Sequence, residues 1–309
     1  MRFQRFLRAT FLVAAALVAA ACSARQIGQA QTAFNAAATL ETTTEGLAPG
    51  GDTLVVQRAE SSYRVARALV ATEIASNAAD LRADGLLGVA YTLKALSEWR
   101  LGDLGGDLAM VDAARRTVEE ADARPVEELA LGTRDRVVLR AIPGVADIVR
   151  ARLSAKAYGE PSGPRDCSRS AVSALDRALG VDGLPADHPV HVWVRLSQLK
   201  ACQQWLAATD SLTGAEMDAE RVVIWGEWER CARGLAVFFV GNDALKDVVR
   251  NFGRSMGIPA ARVEAILRPT ATLPVARPAT AGADVDDDLA RFARLVSYDL
   301  QLVGDPFSR

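Results

Sequence analysis

Apolar residues recur at the helical period through almost the whole chain, and no segment alternates as a half-buried strand would. Ile27, Ala30, Phe34 and Ala38 begin the pattern, and Val56, Ala59, Tyr63, Ala66, Val70 and Ile74 continue it behind Asp52, a residue suited to an N-cap. Leu81, Gly85, Gly88, Val89, Leu93, Leu96 and Trp99 predict a third helix over about 78–101. A helical glycine costs ~1 kcal/mol against alanine, so Gly85 and Gly88 are read as points where a neighbouring helix comes close. Gly102-Asp103 ends this helix and starts the next, lined by Leu104, Leu108, Val111 and Val118. Pro125 opens a segment that Pro143-Gly144 breaks, which predicts two short helices over 126–141 and 145–158. Further helices are expected over 166–179, 188–209, 214–240, 242–256 and 259–267. Such stripes can be buried only helix against helix, so the fold class is all-α, built from antiparallel helical hairpins.

The breaks in the pattern organise the chain. A polar loop, Gly159 to Pro164, divides an N-terminal helical half (22–158) from a C-terminal one (159–267). Pro269, Pro274 and Pro278 mark residues 268–285 as an extended linker rich in proline, threonine and alanine. A last amphipathic helix is expected over 286–304, behind Asp286, Asp287 and Asp288, with Leu289, Phe292, Val296, Leu300 and Val303 on one face. That face must dock on the body or on a partner.

The N-terminus has the layout of an export signal: Arg2, Arg5 and Arg8, then an uncharged run from Ala9 to Ala21, then Cys22. As a helix the run spans roughly 20 Å, short of a ~30 Å hydrocarbon core. The segment Ala19-Ala20-Ala21-Cys22 resembles the lipobox of bacterial lipoproteins, with Ala19 where that family usually has leucine. The resemblance implies removal of residues 1–21 and attachment of acyl chains such as palmitate to Cys22. Ser23, where aspartate would signal retention at the inner membrane, implies the outer membrane, facing the periplasm. Several acyl chains on one cysteine make such an anchor durable. The alternative is an ordinary secreted protein cut beside an incidental Cys22.

Within the body, Tyr91, Ala95, Gly102, Asp103 and Leu104 resemble the middle of a tetratricopeptide repeat. That family places an aromatic, a small residue four positions later and a Gly-Asp turn at this spacing. Asp107 stands where its next alanine belongs, the closing proline has no match, and no second copy follows at a 34-residue offset. The resemblance implies a repeat-like helical array, an α-solenoid of hairpins that presents surface.

Charge and motifs narrow the function. The chain carries 36 Lys and Arg against 38 Asp and Glu, and export would remove three arginines and no acid. Without a basic stripe, nucleic-acid binding is excluded on electrostatic grounds. No G-x-S-x-G, Gly-rich loop before a helix, or H-E-x-x-H occurs, and no cofactor is expected. The two histidines, His188 and His191, sit beside Asp187 at a helix start, a spacing able to bring three ligands to one metal. The competing reading makes Asp187 an N-cap with histidines at a loop edge. The acid pairs Glu119-Glu120 and Glu127-Glu128 read as solvated helix ends. Of the tryptophans, Trp205, Trp225 and Trp228 mark where a binding groove is sought, although large aromatics at helical spacing are more often core. Equal heights across a helical hairpin pair Cys167 with Cys202 in a disulfide and leave Cys231 a buried small hydrophobe. Three reduced, buried thiols are the other reading. The expected function is a lipid-anchored helical adaptor for a protein or peptide partner. A ligand-binding or accessory lipoprotein of a transport or envelope-assembly system comes second, and a metal-dependent hydrolase third.

Overall fold

A computed structural model describes residues 23–41, 53–157, 162–210 and 212–268. Cys22, the linker beyond Arg268 and the stripe from Leu289 to Val303 lie outside the described residues. Among those described, regular structure is entirely helical. Helix α1 covers residues 23–41. It is followed by α2 (Thr53–Ala83), α3 (Leu87–Gly105), α4 (Leu108–Asp122), the single turn α5 (Val126–Leu129) and α6 (Thr133–Ala157). Then come α7 (Ser162–Leu179), α8 (Val190–Ala207), α9 (Gly214–Arg233), a 3-10 turn (Ala236–Phe238), α10 (Asp243–Ser255) and α11 (Ala260–Leu267). Successive helices pack as neighbours, and none of the described helices is long and apolar enough to cross a membrane.

Helix α3 is the centre. From Leu87 to Asp103 every residue except Val89 and Lys94 is buried, because α2, α4, α5 and α6 surround it. A helix apolar on most sides belongs inside. Tyr91, Ala95, Leu96 and Trp99 supply its packing surface, and Phe34 of α1 meets Tyr63 of α2 edge to face at 5.1 Å. Gly88 lets α3 touch the carbonyl of Leu129 and the side chain of Leu131; a Cβ there would stand 2.5 Å from Leu131 Cγ. Gly102 admits Val111 of α4 in the same way.

Several boundaries differ from the periodic reading. Gly85 is not in a helix: at φ +68° it turns the chain between α2 and α3, a conformation that glycine adopts without a Cβ penalty. The break expected near residue 75 is a kink inside α2 at Asn77 (φ −132°, ψ 27°), whose side-chain amide donates to Glu73 at 2.9 Å. The turn after α3 comes later than Gly102-Asp103. Gly106 takes the left-handed cap and Asp107 caps α4, accepting from the Ala109 amide at 2.8 Å.

Pro143 does not end its helix. Helix α6 runs through it, held on both sides by fully buried Ile142 and Ala146, while Gly144 lets Leu175 of α7 approach. Tertiary burial outweighs the lost hydrogen bond. Pro125 instead opens only the turn α5, which Ala130 closes in the left-handed region at φ 49°. The segment 214–240 is also divided: α9 stops at Arg233, and of the following run Leu235 and Phe239 are buried while Val237 and Val240 face solvent. Helices α6 and α7, on either side of the expected boundary loop, pack more extensively than any other pair.

Candidate functional site

Charged side chains occupy the interior beside α3. Arg100 is 1% exposed and lies between Glu41 of α1, at 2.5 Å, and Asp103, at 2.7 Å. Its guanidinium also stands 4.7 Å above the Trp99 ring. Arg152 of α6 reaches Asp103 from the other side at 2.5 Å and also donates to its backbone carbonyl at 3.0 Å. The two carboxylates respond oppositely. Burial raises the Glu41 carboxyl despite Arg100 and a hydrogen bond from Tyr63. Burial also works against ionised Asp103, but Arg100, Arg152 and Lys200 prevail and hold it at about 2.

Two further buried acids repeat the device. Glu98, fully buried, accepts from Arg67 at 3.0 Å and from the Thr117 hydroxyl at 2.6 Å. Asp147 of α6 pairs with Arg115 of α4 and accepts from Ser170 of α7 at 2.7 Å. Burial raises its carboxyl. These networks join α1, α3, α4, α6 and α7 into one unit, and every acid in them has a partner. They are cross-links between helices whose acids are buried, with Arg67, Arg115 and Arg152 reaching them from the margin.

Trp205 and Trp228 are core, which corrects the expected groove. Trp228 is 0% and Trp205 3% exposed, so the space between their helices is filled. Trp205 donates to Glu220 at 2.7 Å beneath Arg169, and half-buried Trp225 donates to the Met256 carbonyl at 3.2 Å. The indole nitrogens of Trp99, Trp193 and Trp228 are buried with no hydrogen-bond partner among the described residues. Trp99 and Trp193 pack against each other at 6.3 Å.

The histidines sit in the turn before α8. His188 Nδ1 accepts from the Val190 amide at 3.2 Å, so the imidazole performs the capping expected of Asp187. Burial lowers the pKa of both rings, which favours neutral imidazoles. No group of three or more His, Cys, Asp or Glu side chains able to hold a metal occurs among the described residues. The metal expectation therefore lacks its third ligand.

The thiols are not paired as the hairpin register predicted. All three are free; Cys167 is half-buried near Asp147, Arg150 and Arg115, facing α6 and α4. Cys202 of α8 and Cys231 of α9 are both fully buried. Counting residues from the loop equalised the heights of Cys167 and Cys202, but height does not fix azimuth, and the two side chains leave their helices towards different neighbours.

One surface feature escaped the sequence reading. At the junction of α4, α5 and α6, Arg124, Arg136 and Arg140 surround a depression of about 50 Å³ floored by Val126, Leu129, Leu131 and Leu139, with Asp122 at its edge. The side chains of Arg124 and Arg140 make no ion pair among the described residues. Arg136 donates to Thr133 at 3.3 Å, and its buried Nε has no partner. The volume exceeds the 10–15 Å³ or so that admits one water. Gly88, by admitting Leu129 against α3, sets the floor, and Arg82 of α2 holds α5 through Glu128 at 3.2 Å. The signal was present as arginines at 124, 136 and 140, yet only the αL turn at Ala130 brings them together. No family model, curated protein or solved structure matches this chain.

Proposed function

We propose that this chain is a lipid-anchored adaptor of the bacterial outer membrane, attached through Cys22 and facing the periplasm, whose helical hairpins form a repeat-like, tetratricopeptide-like array. Its partner is a protein or peptide, engaged through an acidic segment at the basin of Arg124, Arg136 and Arg140. The observation that carries this reading is the excess positive charge of that basin, three arginines against the one carboxylate of Asp122. In the interior, Arg67, Arg100, Arg115 and Arg152 each lie against a carboxylate. At the basin two arginines have none, a third keeps an orphaned Nε, and an apolar floor lies between them. A planar guanidinium binds a carboxylate through two parallel hydrogen bonds, which gives such a rim selectivity for acidic side chains or a chain terminus. The site is small, so it serves as one anchor within a wider contact.

The test places a photo-crosslinking amino acid at Val126, which is 48% exposed, in the full chain in cells. The expected result is a discrete adduct mapping to an acidic segment of one partner. The adduct should disappear in the Arg124→Glu/Arg140→Glu variant, and Cys22→Ser should release the protein from the membrane fraction. Adducts unchanged by the charge reversal overturn the basin as the contact. Membrane retention of an exported Cys22→Ser variant overturns the anchor.

A further inference from the structure

We propose that residues 286–304, which lie beyond the described residues, fold as a helix along the exposed face of α9 and antiparallel to it, with Val296 level with Val222 and Val223. Helix α9 buries Ile224, Trp228, Cys231 and Ala232 on one side. On the opposite side Ala215, Ala219 and Val222 follow at i, i+4 and i+7 with Val223 beside them, and all four are exposed. Val222 is 71% and Val223 52% exposed, the one consecutive pair of open large hydrophobics among the described residues. The edge of this face is where α11 meets α9: Arg262 pairs with Glu229 and stands 5.8 Å above the Trp225 ring.

The chain itself supplies the occupant. Leu289, Phe292, Val296, Leu300 and Val303 repeat at the helical period, so as a helix they form a face that has to be buried. The segment is tethered beside α9, because α11, which ends at Leu267, packs on that helix. The 17 residues of 269–285 span an r.m.s. distance of ~20–25 Å, against ~30 Å for the whole of α9. A tether of this reach holds the segment at an effective concentration near the millimolar range. A second copy of the chain has no such advantage: the face from Ala215 to Val223 is ~12 Å long and one helix wide, far short of the ~800 Å² per partner of a stable interface. Charge fixes the direction. Arg233 in the last turn of α9 is exposed and has no ion pair among the described residues. Asp286, Asp287 and Asp288 beside it suit both that cation and the N-terminus of their own helix, whereas a parallel arrangement would set them against Glu216 and Asp218. With Asp287 level with Arg233, Val296 stands at the height of Val222 and Val223, and Leu300 and Val303 at those of Ala219 and Ala215, each to within ~3 Å. The contact forms within one chain and does not depend on an anchor at Cys22.

The experiment places a photo-crosslinking amino acid at position 223 of the purified full chain in detergent and maps its adducts by digestion and mass spectrometry. The expected product has the mass of one chain and joins position 223 to residues 292–300, and Val296→Asp should abolish it. Hydrogen–deuterium exchange of the chain without the probe supplies a second readout. Residues 289–303 should exchange slowly in the parent and about tenfold faster or more in Val222→Asp/Val223→Asp. Both valines are exposed, so this variant keeps its fold, which unchanged helical circular dichroism and unchanged exchange of α3 verify. An adduct with the mass of two chains, adducts to detergent or to other segments only, or exchange over 289–303 that is equal in parent and variant overturns the proposal. An adduct that survives Val296→Asp overturns the register.

Discussion

Arg100→Met removes the one cation that two buried carboxylates share, and its cost follows from their surroundings. Glu41 and Arg100 are 6% and 1% exposed, so neither recovers full hydration when its partner is lost. Breaking a buried ion pair from one side costs ~3–5 kcal/mol, because the remaining charge stays uncompensated. Asp103 keeps Arg152 at 2.5 Å, which holds the loss within that range and does not double it. At about 2–4 °C per kcal/mol for a body of this size, the melting temperature should fall by roughly 6–20 °C. Urea unfolding at pH 7, followed by circular dichroism, measures the difference directly. The pH dependence supplies a second check. In the variant both carboxyls lose the charge that favours ionisation, so their folded pKa values rise relative to the unfolded chain. The folded variant then binds protons more tightly, and its deficit should shrink between pH 7 and pH 5. A variant within 1 kcal/mol or so of the parent at pH 7 would refute the claim that Arg100 compensates these charges. So would a deficit that grows as pH falls.

Two other perturbations test neighbouring parts of the argument. Gly88→Ala drives a methyl into the Leu129 carbonyl and Leu131, an overpacking cost of ~1–3 kcal/mol that outweighs the ~1 kcal/mol gain in helix propensity because one of the atoms met is backbone. In Gly226→Ala nothing stands within 4 Å of the new methyl, so that variant should gain ~1 kcal/mol, read as opposite shifts in urea midpoint. Asp103, held at about 2, stabilises the fold above the unfolded carboxylate range near 4, and this contribution is lost as pH falls from about 4 to about 2. Asp103→Asn should therefore flatten that part of the acid-unfolding curve, and an unchanged slope would remove Asp103 from its cause.

The apolar stripes of α2 and α3 made the helical class legible, since Tyr63, Ala66, Val70, Leu93 and Leu96 are all buried on the faces that the period assigns. Boundaries were legible only where local chemistry acted alone. Pro143 lost to the burial of Ile142 and Ala146, and Gly85 gave up the helix because the chain needed a positive φ there. The buried acids were harder to see. Glu98 and Asp147 lie among apolar neighbours in their helices, and their arginine partners are 31 and 32 residues distant in sequence, beyond any local pattern. The thiol pair failed for a related reason: loop counting measures height along a hairpin, whereas contact also requires the facing side.

The position of α1 connects the interior to the proposed anchoring. Residue 23 is already helical, and Ser23 and Ile27 are 1% and 3% exposed, so helix and burial begin immediately after Cys22. Under attachment at Cys22 there is no flexible tether between lipid and fold. The other end of α1 is fixed by Glu41 to Arg100, and the same cluster reaches α6 through Asp103 and Arg152. Helix α6 carries Arg136 and Arg140 of the basin. A continuous path of packed helices and buried ion pairs thus runs from the start of α1 to the arginine rim. An adaptor on a long linker samples many orientations and loses effective concentration as its reach grows. A body docked directly on its anchor instead holds the rim at a set height and orientation, which favours partners confined to the same membrane plane. Under attachment at Cys22, the buried ion pairs do more than hold the helices together, because they set where the basin stands relative to the lipid surface.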